Sequence, residues 1–139
     1  MTRSPDRPDP GRPTTEDLLA GLRERCMALP EVTEASTHGA PTWFVRGRRS
    51  FAKFIDPEQH RFDERHVAFW SAAPPGARRE LATADPRHFF EPPFGGYDWV
   101  GMRLDVDPQG PDWDEVREIV TDGYRRIAPK GLVSRVDGR

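Results

Sequence analysis

The sequence has little cysteine and little lysine. Cys26 is the only cysteine, so no intramolecular disulfide and no cysteine-rich zinc site can form. Lysine occurs only at Lys53 and Lys130, and arginine carries nearly all of the positive charge. We attribute this bias to the codon usage of a GC-rich genome rather than to selection for phosphate-binding side chains.

Long apolar runs are also missing. No stretch approaches the length of a membrane span, and the N-terminal residues lack the apolar segment of a signal peptide. We therefore expect a cytoplasmic protein with no membrane partner. The formal net charge of −2 gives no overall attraction to nucleic acid or to an anionic membrane.

Motifs for catalysis or for metal binding are absent as well. His60, His66 and His88 do not have the spacing of metal ligands. Gly95-Gly96 lacks the following helix and lysine of a phosphate-binding loop, and no serine stands in a nucleophile elbow. We expect a protein that holds no metal and no cofactor and that is not an enzyme. An enzyme whose site is assembled from scattered polar residues is the third and lowest-ranked hypothesis.

The 139 residues are enough for one domain with a single core. Residues 1–14 contain four prolines and no large apolar side chain after Met1, so they are predicted to be a disordered tail. We expect the domain to span residues 15–131. Residues 132–139 are predicted to be a C-terminal tail.

The periodicity of apolar residues predicts helices at both ends of the domain. The first helix covers residues 15–29, begins at a cap on Thr14 or Thr15, and buries a stripe that includes Cys26. The last helix begins at the capping box Asp112–Glu115 and ends near residue 128. The elements between them are strands at 32–37, 42–55 (a hairpin), 66–71 and 99–105, and a helix that opens at Pro74-Pro75 and continues to residue 84. This order predicts an α+β sandwich whose antiparallel sheet is covered on one face.

A basic β-hairpin is the most distinctive local pattern. Two β-favouring runs, 42–45 and 51–55, flank the connector Arg-Gly-Arg-Arg-Ser, in which Gly47 supplies the turn. No acidic residue lies between Thr37 and Ile55. The hairpin therefore concentrates positive charge in a chain that is acidic overall.

Five segments in this order and spacing resemble the MmcQ/YjbR-like family. They are residues 29–34, 38–44, 51–53, 99–104 and 113–130. The resemblance covers residues 15–131 and implies a frataxin-like or YjbR-like fold, with an antiparallel sheet packed against N- and C-terminal helices. It also implies DNA binding through a "double wing" of β-hairpins, and it supplies no set of catalytic residues.

The leading functional expectation is contact with the phosphates of double-stranded DNA through the basic hairpin. Four such contacts predict a salt slope of about −3 to −4. The nucleic-acid-binding residues would be Arg46, Arg48, Arg49 and Lys53. The competing interpretation is a solvated turn whose arginines pair with acids such as Asp56, Glu58, Asp63 or Glu64.

The alternative function is binding of a planar small molecule, in the manner of a sequestration or resistance protein. An aromatic cleft between the sheet and the helices would accept it. The ligand-binding residues would be His38, Trp43, Trp70 and Trp99. Against this, loop chemistry alone explains His38 and Gly39, and most aromatic side chains of a chain this size are needed for the core.

Overall fold

The structure is a computed structural model that describes residues 11–59, 65–93 and 98–138. Residues 1–10 of the predicted tail lie outside the described residues. The same is true of five other residues considered above, namely His60, Asp63, Glu64, Gly95 and Gly96.

Within these ranges the strands form one six-stranded antiparallel sheet. The strands are β1 (Val32–Thr37), β2 (Ala40–Val45), β3 (Arg49–Ile55), β4 (Ala68–Ala72), β5 (Phe89–Phe90) and β6 (Trp99–Arg103). They lie in the order β1-β2-β3-β4-β6-β5 across the sheet. The predicted hairpin is confirmed, because β2 and β3 pair on either side of a short turn.

Four helices accompany the sheet in the same part of the chain. They are α1 (Thr15–Met27), α2 (Ala77–Ala84), α3 (Trp113–Ile127) and α4 (Lys130–Val136). Helices α1 and α3 contact each other, and α3 packs on β3 and β4. The predicted α+β class is therefore confirmed, with N- and C-terminal helices packed on an antiparallel sheet.

Side-chain caps fix where α1 and α3 begin. Thr14 Oγ1 accepts a hydrogen bond from the Asp17 amide at 3.0 Å, and Asp17 Oδ2 accepts one from the Thr14 amide at 2.9 Å. At α3, Asp112 Oδ1 accepts from the amides of Asp114 and Glu115. These bonds satisfy amides that have no partner inside the helix.

The core lies between the helices and one face of the sheet. Leu18, Leu22 and Cys26 of α1 are buried, which confirms the predicted stripe. Tyr124 of α3 packs edge-to-face on Phe51, with ring centroids 5.6 Å apart. Its hydroxyl donates to the Pro30 carbonyl at 2.7 Å, so the buried phenol has a partner for its polar end.

Register assigns side chains to the two faces of the sheet. Adjacent residues of a strand point to opposite faces, whereas paired residues share one. One cross-strand row, which faces the helices, contains Trp43, Ala52, Ser71 and Val100. The neighbouring row lies on the opposite face, called here the second face, and contains Thr42, Lys53, Trp70, Gly101 and Phe90.

Two short elements differ from the sequence-based expectation. Residues 130–136, most of which were assigned to a C-terminal tail, form α4, and Leu132 of this helix is buried. Pro129 at its N-cap makes no side-chain capping bond, and Gly131 lowers helix propensity, so the local sequence does not indicate a helix. The two-residue strand β5 is likewise too short for its alternation to be visible.

Candidate functional site

The β2–β3 turn presents two exposed arginines. Arg46 and Gly47 have φ angles of 54° and 67°, and the Arg48 amide donates to the Val45 carbonyl at 3.0 Å, which closes the turn. Arg48 and Arg49 are exposed. Among the described residues, neither side chain takes part in an ion pair. Both guanidinium groups therefore lie on the exposed surface of the turn.

Arg46 forms an ion pair with Glu31, which precedes β1. Its Nε lies 2.9 Å from Glu31 Oε1, and its Nη2 lies 3.3 Å from Glu31 Oε2. This hydrogen bond lowers the pKa of Glu31 and raises the pKa of Arg46. Arg135 of α4 also reaches Glu31, at 3.2 Å. Pairing with an acid was one expectation for this residue, although Glu31 was not among the acids considered.

Lys53 does not share a surface with Arg49. The register shifts between Trp43 and Phe44, so Arg49 pairs with Val45 on the helix-covered face, whereas Lys53 pairs with Thr42 on the second face. The Lys53 ammonium lies 5.9 Å from the centroid of the Trp70 ring, and partial burial lowers the pKa of Lys53. Of the four residues predicted to bind nucleic acid, the structure therefore places Arg48 and Arg49 together in the exposed turn, with no ion pair to another described residue.

The four residues predicted to bind a planar ligand are dispersed. Trp43 is fully buried on the helix-covered face and donates its indole N–H to Glu34 at 2.9 Å. Trp70 lies on the second face, and Trp99 begins β6 opposite Ala72. His38 is exposed in the two-residue β1–β2 turn, with a φ of 52°. Trp43 and Trp70 therefore lie on opposite faces of the sheet, so the four residues do not share one surface.

A cleft between the sheet and the helices does exist, but other residues line it. It has a volume of about 300 Å³ and lies between α2, α3 and the sheet. Its apolar wall includes Leu81, Phe89 and Ile119, and carboxylates stand around it, among them Glu80 and Glu115. Burial raises the pKa of Glu115, and the negative charge of Asp112 adds to the effect.

Sequence reasoning missed a cavity lined by arginines at the opposite end of β3 from the β2–β3 turn. It has a volume of about 570 Å³. Its charged and titratable lining consists of Arg12, Arg65, His66, Arg87, Arg103 and Asp105. The arginines are far apart in the sequence, so no local charge run indicates the cavity; only the sheet topology brings them together.

Two histidines contact carboxylates near this cavity. His66 Nδ1 lies 2.7 Å from Asp105 Oδ1. His88 contacts Asp85 through Nδ1 at 3.0 Å and Asp107 through Nε2 at 2.7 Å. Across the described ranges, no three His, Cys, Asp or Glu side chains are grouped so that they could hold a metal ion.

A family model for YjbR matches residues 27–126, from the end of α1 through most of α3. The chain belongs to the YjbR family. The resemblance inferred from the sequence is therefore confirmed. The matched residues include the entire β2–β3 turn.

A crystal structure supports the same fold. The protein DR2400 of Deinococcus radiodurans, described as containing a DUF419 domain, superimposes with a TM-score of 0.61 at 18% sequence identity. The alignment covers 92% of this chain and 90% of that protein, so the whole YjbR-like architecture is shared. A search of the curated proteins found no match. Among the helices in the described ranges, none is long and apolar enough to cross a membrane.

Proposed function

We propose that this YjbR-family chain is a non-enzymatic protein that contacts double-stranded DNA through the β2–β3 turn. The observation that carries the proposal is the pair Arg48 and Arg49, which are exposed and, in the described part of the chain, have no ion-pair partner. Guanidinium groups bind phosphate through two parallel N–H donors, and a tight turn lets them approach a duplex backbone.

The proposed interaction is weak and depends strongly on salt. Two phosphate contacts correspond to a salt slope of about −1.8, which weakens binding about tenfold between 50 and 200 mM salt. Glu31 holds Arg46, and Lys53 lies on the second face, so these two add little to the contact. The net charge of −2 supplies no long-range attraction.

A fluorescence-anisotropy titration with a labelled DNA duplex at 50 and 200 mM salt tests this proposal. The double variant Arg48→Gln/Arg49→Gln should lose most of the binding at low salt. The matched control is Arg79→Gln/Arg117→Gln, which removes two exposed arginines from α2 and α3 and should bind as the wild type does. No binding by the wild type at 50 mM salt, or equal losses in both variants, contradicts the proposal.

The proposal uses one hairpin, whereas a double wing uses two. The β1–β2 turn consists of His38 and Gly39 and has no side chain with a permanent charge. It lies at the opposite end of β2 from Arg48. A second DNA-contacting wing remains a prediction of the family resemblance.

Because DNA binding requires a compartment that holds DNA, we also propose a cytoplasmic location.

A second candidate function is binding of a small aromatic cation in the cleft between α2, α3 and the sheet. Its volume of about 300 Å³ is in the range of small-molecule pockets. Leu81, Phe89 and Ile119 provide apolar contact, while Glu80 and Glu118 provide negative charge. This cleft replaces His38, Trp43, Trp70 and Trp99 as the ligand-binding surface of the proposal.

A thermal-shift series with pairs of aromatic amines and their uncharged analogues tests the second candidate. The amines should raise the melting temperature more than the analogues do, and Glu118→Gln should reduce that difference. Ile119→Trp should abolish the effect of the amines by filling the cleft. If amines and analogues act equally on the wild type, or if Ile119→Trp responds as the wild type does, this candidate function is wrong.

A further inference from the structure

The arginine cavity combines high positive charge with an open volume. Four guanidinium groups and one carboxylate line its 570 Å³, for a formal charge of +3 with His66 neutral. The whole chain has a formal net charge of −2, so this local charge runs against the balance of the molecule. Like charges facing a shared space repel one another, and a bound anion relieves that repulsion.

Backbone carbonyls hold the guanidinium groups in place. Arg103 Nη1 donates to the Pro86 carbonyl at 2.9 Å and to the Arg87 carbonyl at 3.2 Å. The Arg103 guanidinium also lies 4.9 Å from the centroid of the Phe90 ring. Arg12 Nη2 donates to the Asp105 carbonyl at 3.2 Å. Side chains fixed in this way lose little conformational entropy when a ligand binds.

Two acids at the cavity, Asp105 and Asp107, already have partners. Asp105 Oδ1 contacts His66 at 2.7 Å, and its Oδ2 accepts from the Val67 amide at 3.0 Å. Asp107 pairs with Arg87 at 2.7 Å. Asp105 therefore orients His66 at the cavity instead of presenting a free carboxylate to an incoming anion.

The apolar lining of the cavity and its distance from the β2–β3 turn also bear on what it could bind. Pro86 and Val106 line the same cavity, so an organic portion of a ligand would have apolar contacts beside the arginines. Arg103 pairs with Ala68, and Ala68 with Ile55, at the end of β3 remote from Arg49. The six steps from Arg49 to Ile55 span about 20 Å of extended strand, so the cavity and the β2–β3 turn are separate sites.

We propose that the arginine cavity binds a phosphate-bearing small molecule, with Arg12, Arg65 and Arg103 contacting the phosphate. The proposal does not depend on DNA binding at the β2–β3 turn. Arginine suits this chemistry because its planar fork donates two N–H bonds to one phosphate group.

An NMR titration of the full chain tests the proposal, with inorganic phosphate and ribose 5-phosphate as probes at constant ionic strength. The backbone amides of Arg103, Asp105 and Val106 should shift and saturate. Tighter binding of ribose 5-phosphate identifies an ester as the ligand class, and equal binding identifies free phosphate. If neither probe shifts these amides, the proposal is wrong.

Two variants locate the phosphate contact. Arg65→Gln removes an exposed side chain with no partner among the described residues, so the fold should be preserved, and affinity should fall at least fivefold. Arg103→Lys keeps the charge but loses the planar fork, and affinity should fall about tenfold. Arg79→Gln on α2 is the matched control and should leave affinity unchanged. Unchanged affinity in both cavity variants overturns the proposal.

A parallel titration with a DNA duplex distinguishes the arginine cavity from the β2–β3 turn. A duplex should compete poorly with ribose 5-phosphate, and Arg65→Gln should leave duplex binding unchanged. Loss of duplex binding in Arg65→Gln, together with no response to either small probe, would mean that the cavity contacts nucleic acid instead, and the proposal would fail. If only the Arg48→Gln/Arg49→Gln variant loses duplex binding, the β2–β3 turn contacts DNA and the arginine cavity does not.

Discussion

Glu31 joins two arginines that are far apart in the chain. It contacts Arg46 of the β2–β3 turn and Arg135 of α4, and the Arg46 amide donates to its carbonyl at 2.9 Å. Glu31 does this from a left-handed backbone conformation, with a φ of 56°, which is uncommon for a non-glycine residue. This single carboxylate therefore limits the positive charge that the turn can offer to a partner.

Replacing Glu31 should strengthen the proposed DNA contact. Glu31→Gln keeps the size of the side chain but removes its charge, so Arg46 can join Arg48 and Arg49 at the duplex backbone. We expect tighter binding at 50 mM salt and a salt slope steeper by about 0.9, measured by anisotropy. The triple variant Glu31→Gln/Arg48→Gln/Arg49→Gln is the control. An unchanged slope in Glu31→Gln would show that Arg46 does not reach phosphate.

His88 should make stability depend on pH above about pH 6.5. Its hydrogen bond to Asp107 raises the pKa of His88 above the ordinary value of 6.5, and Asp85 adds to the effect. Because the folded state binds this proton more tightly than the unfolded state, the contribution is complete below pH 6.5 and is lost as pH rises through the raised pKa.

Urea denaturation from pH 6 to pH 9 measures this effect. The free energy of unfolding of the wild type should fall with pH more steeply than that of His88→Gln. The other three histidines are present in both proteins, so the difference between the two curves reports His88. Parallel curves would show that the contacts with Asp107 and Asp85 do not stabilise the imidazolium.

At the scale of elements, the packing of α3 on β4 depends on a glycine of α3. A Cβ added at Gly123 would lie 2.5 Å from the Ala72 carbonyl oxygen and 2.5 Å from Ser71 Oγ. The carbonyl belongs to β4 and cannot rotate away as a side chain could. Gly123 therefore lets α3 lie directly on β4, where Ser71 Oγ donates to the Ile119 carbonyl at 3.3 Å.

Gly123→Ala should destabilise the fold by about 1–3 kcal/mol, because α3 must move away from β4. Gly131→Ala is the matched control. An added Cβ there meets nothing within 4 Å and its φ is not positive, so better helix propensity should stabilise the protein by about 0.5–1 kcal/mol. Thermal unfolding measures both. If both variants lower the melting temperature equally, close packing at Gly123 is not the cause.

Elements whose determinants are local were predictable from the sequence. Thr14 and Asp112 cap their helices within three residues, and Gly47 forms its turn within two, so each pattern is visible in a short window. Phe89 and Phe90 form a strand because they pair with Met102 and Gly101. A partner eleven or more residues away leaves no trace in local periodicity, and β5 was therefore missed.

Leu132 should be the residue that holds α4 on the domain. It is 3% exposed, whereas its neighbour Val133 is only partly buried. Leu132→Ala should lower the free energy of unfolding by about 2–4 kcal/mol, measured by urea denaturation. Val133→Ala should cost less than half as much. Equal effects would mean that α4 is loosely attached.

Across the whole molecule, charge is sorted into separate surfaces. The β2–β3 turn is basic, the cleft between α2 and α3 is acidic, and the arginine cavity lies at the far end of β3. The run of arginines at 46–49 was visible in the sequence because its members are adjacent. The cavity was not, since Arg12 and Arg103 meet only after α1, β4 and β6 have assembled.

Because Cys26 is buried, the reactivity of its thiol can be used to measure how often α1 separates from the sheet. This single thiol is 0% exposed in α1, and burial raises the pKa of Cys26 well above its ordinary value. A disulfide reagent such as Ellman's reagent can therefore react only in molecules whose α1 has separated from the sheet. The rate of colour formation at pH 8 then reports the population of that open state in the native protein, without an engineered label.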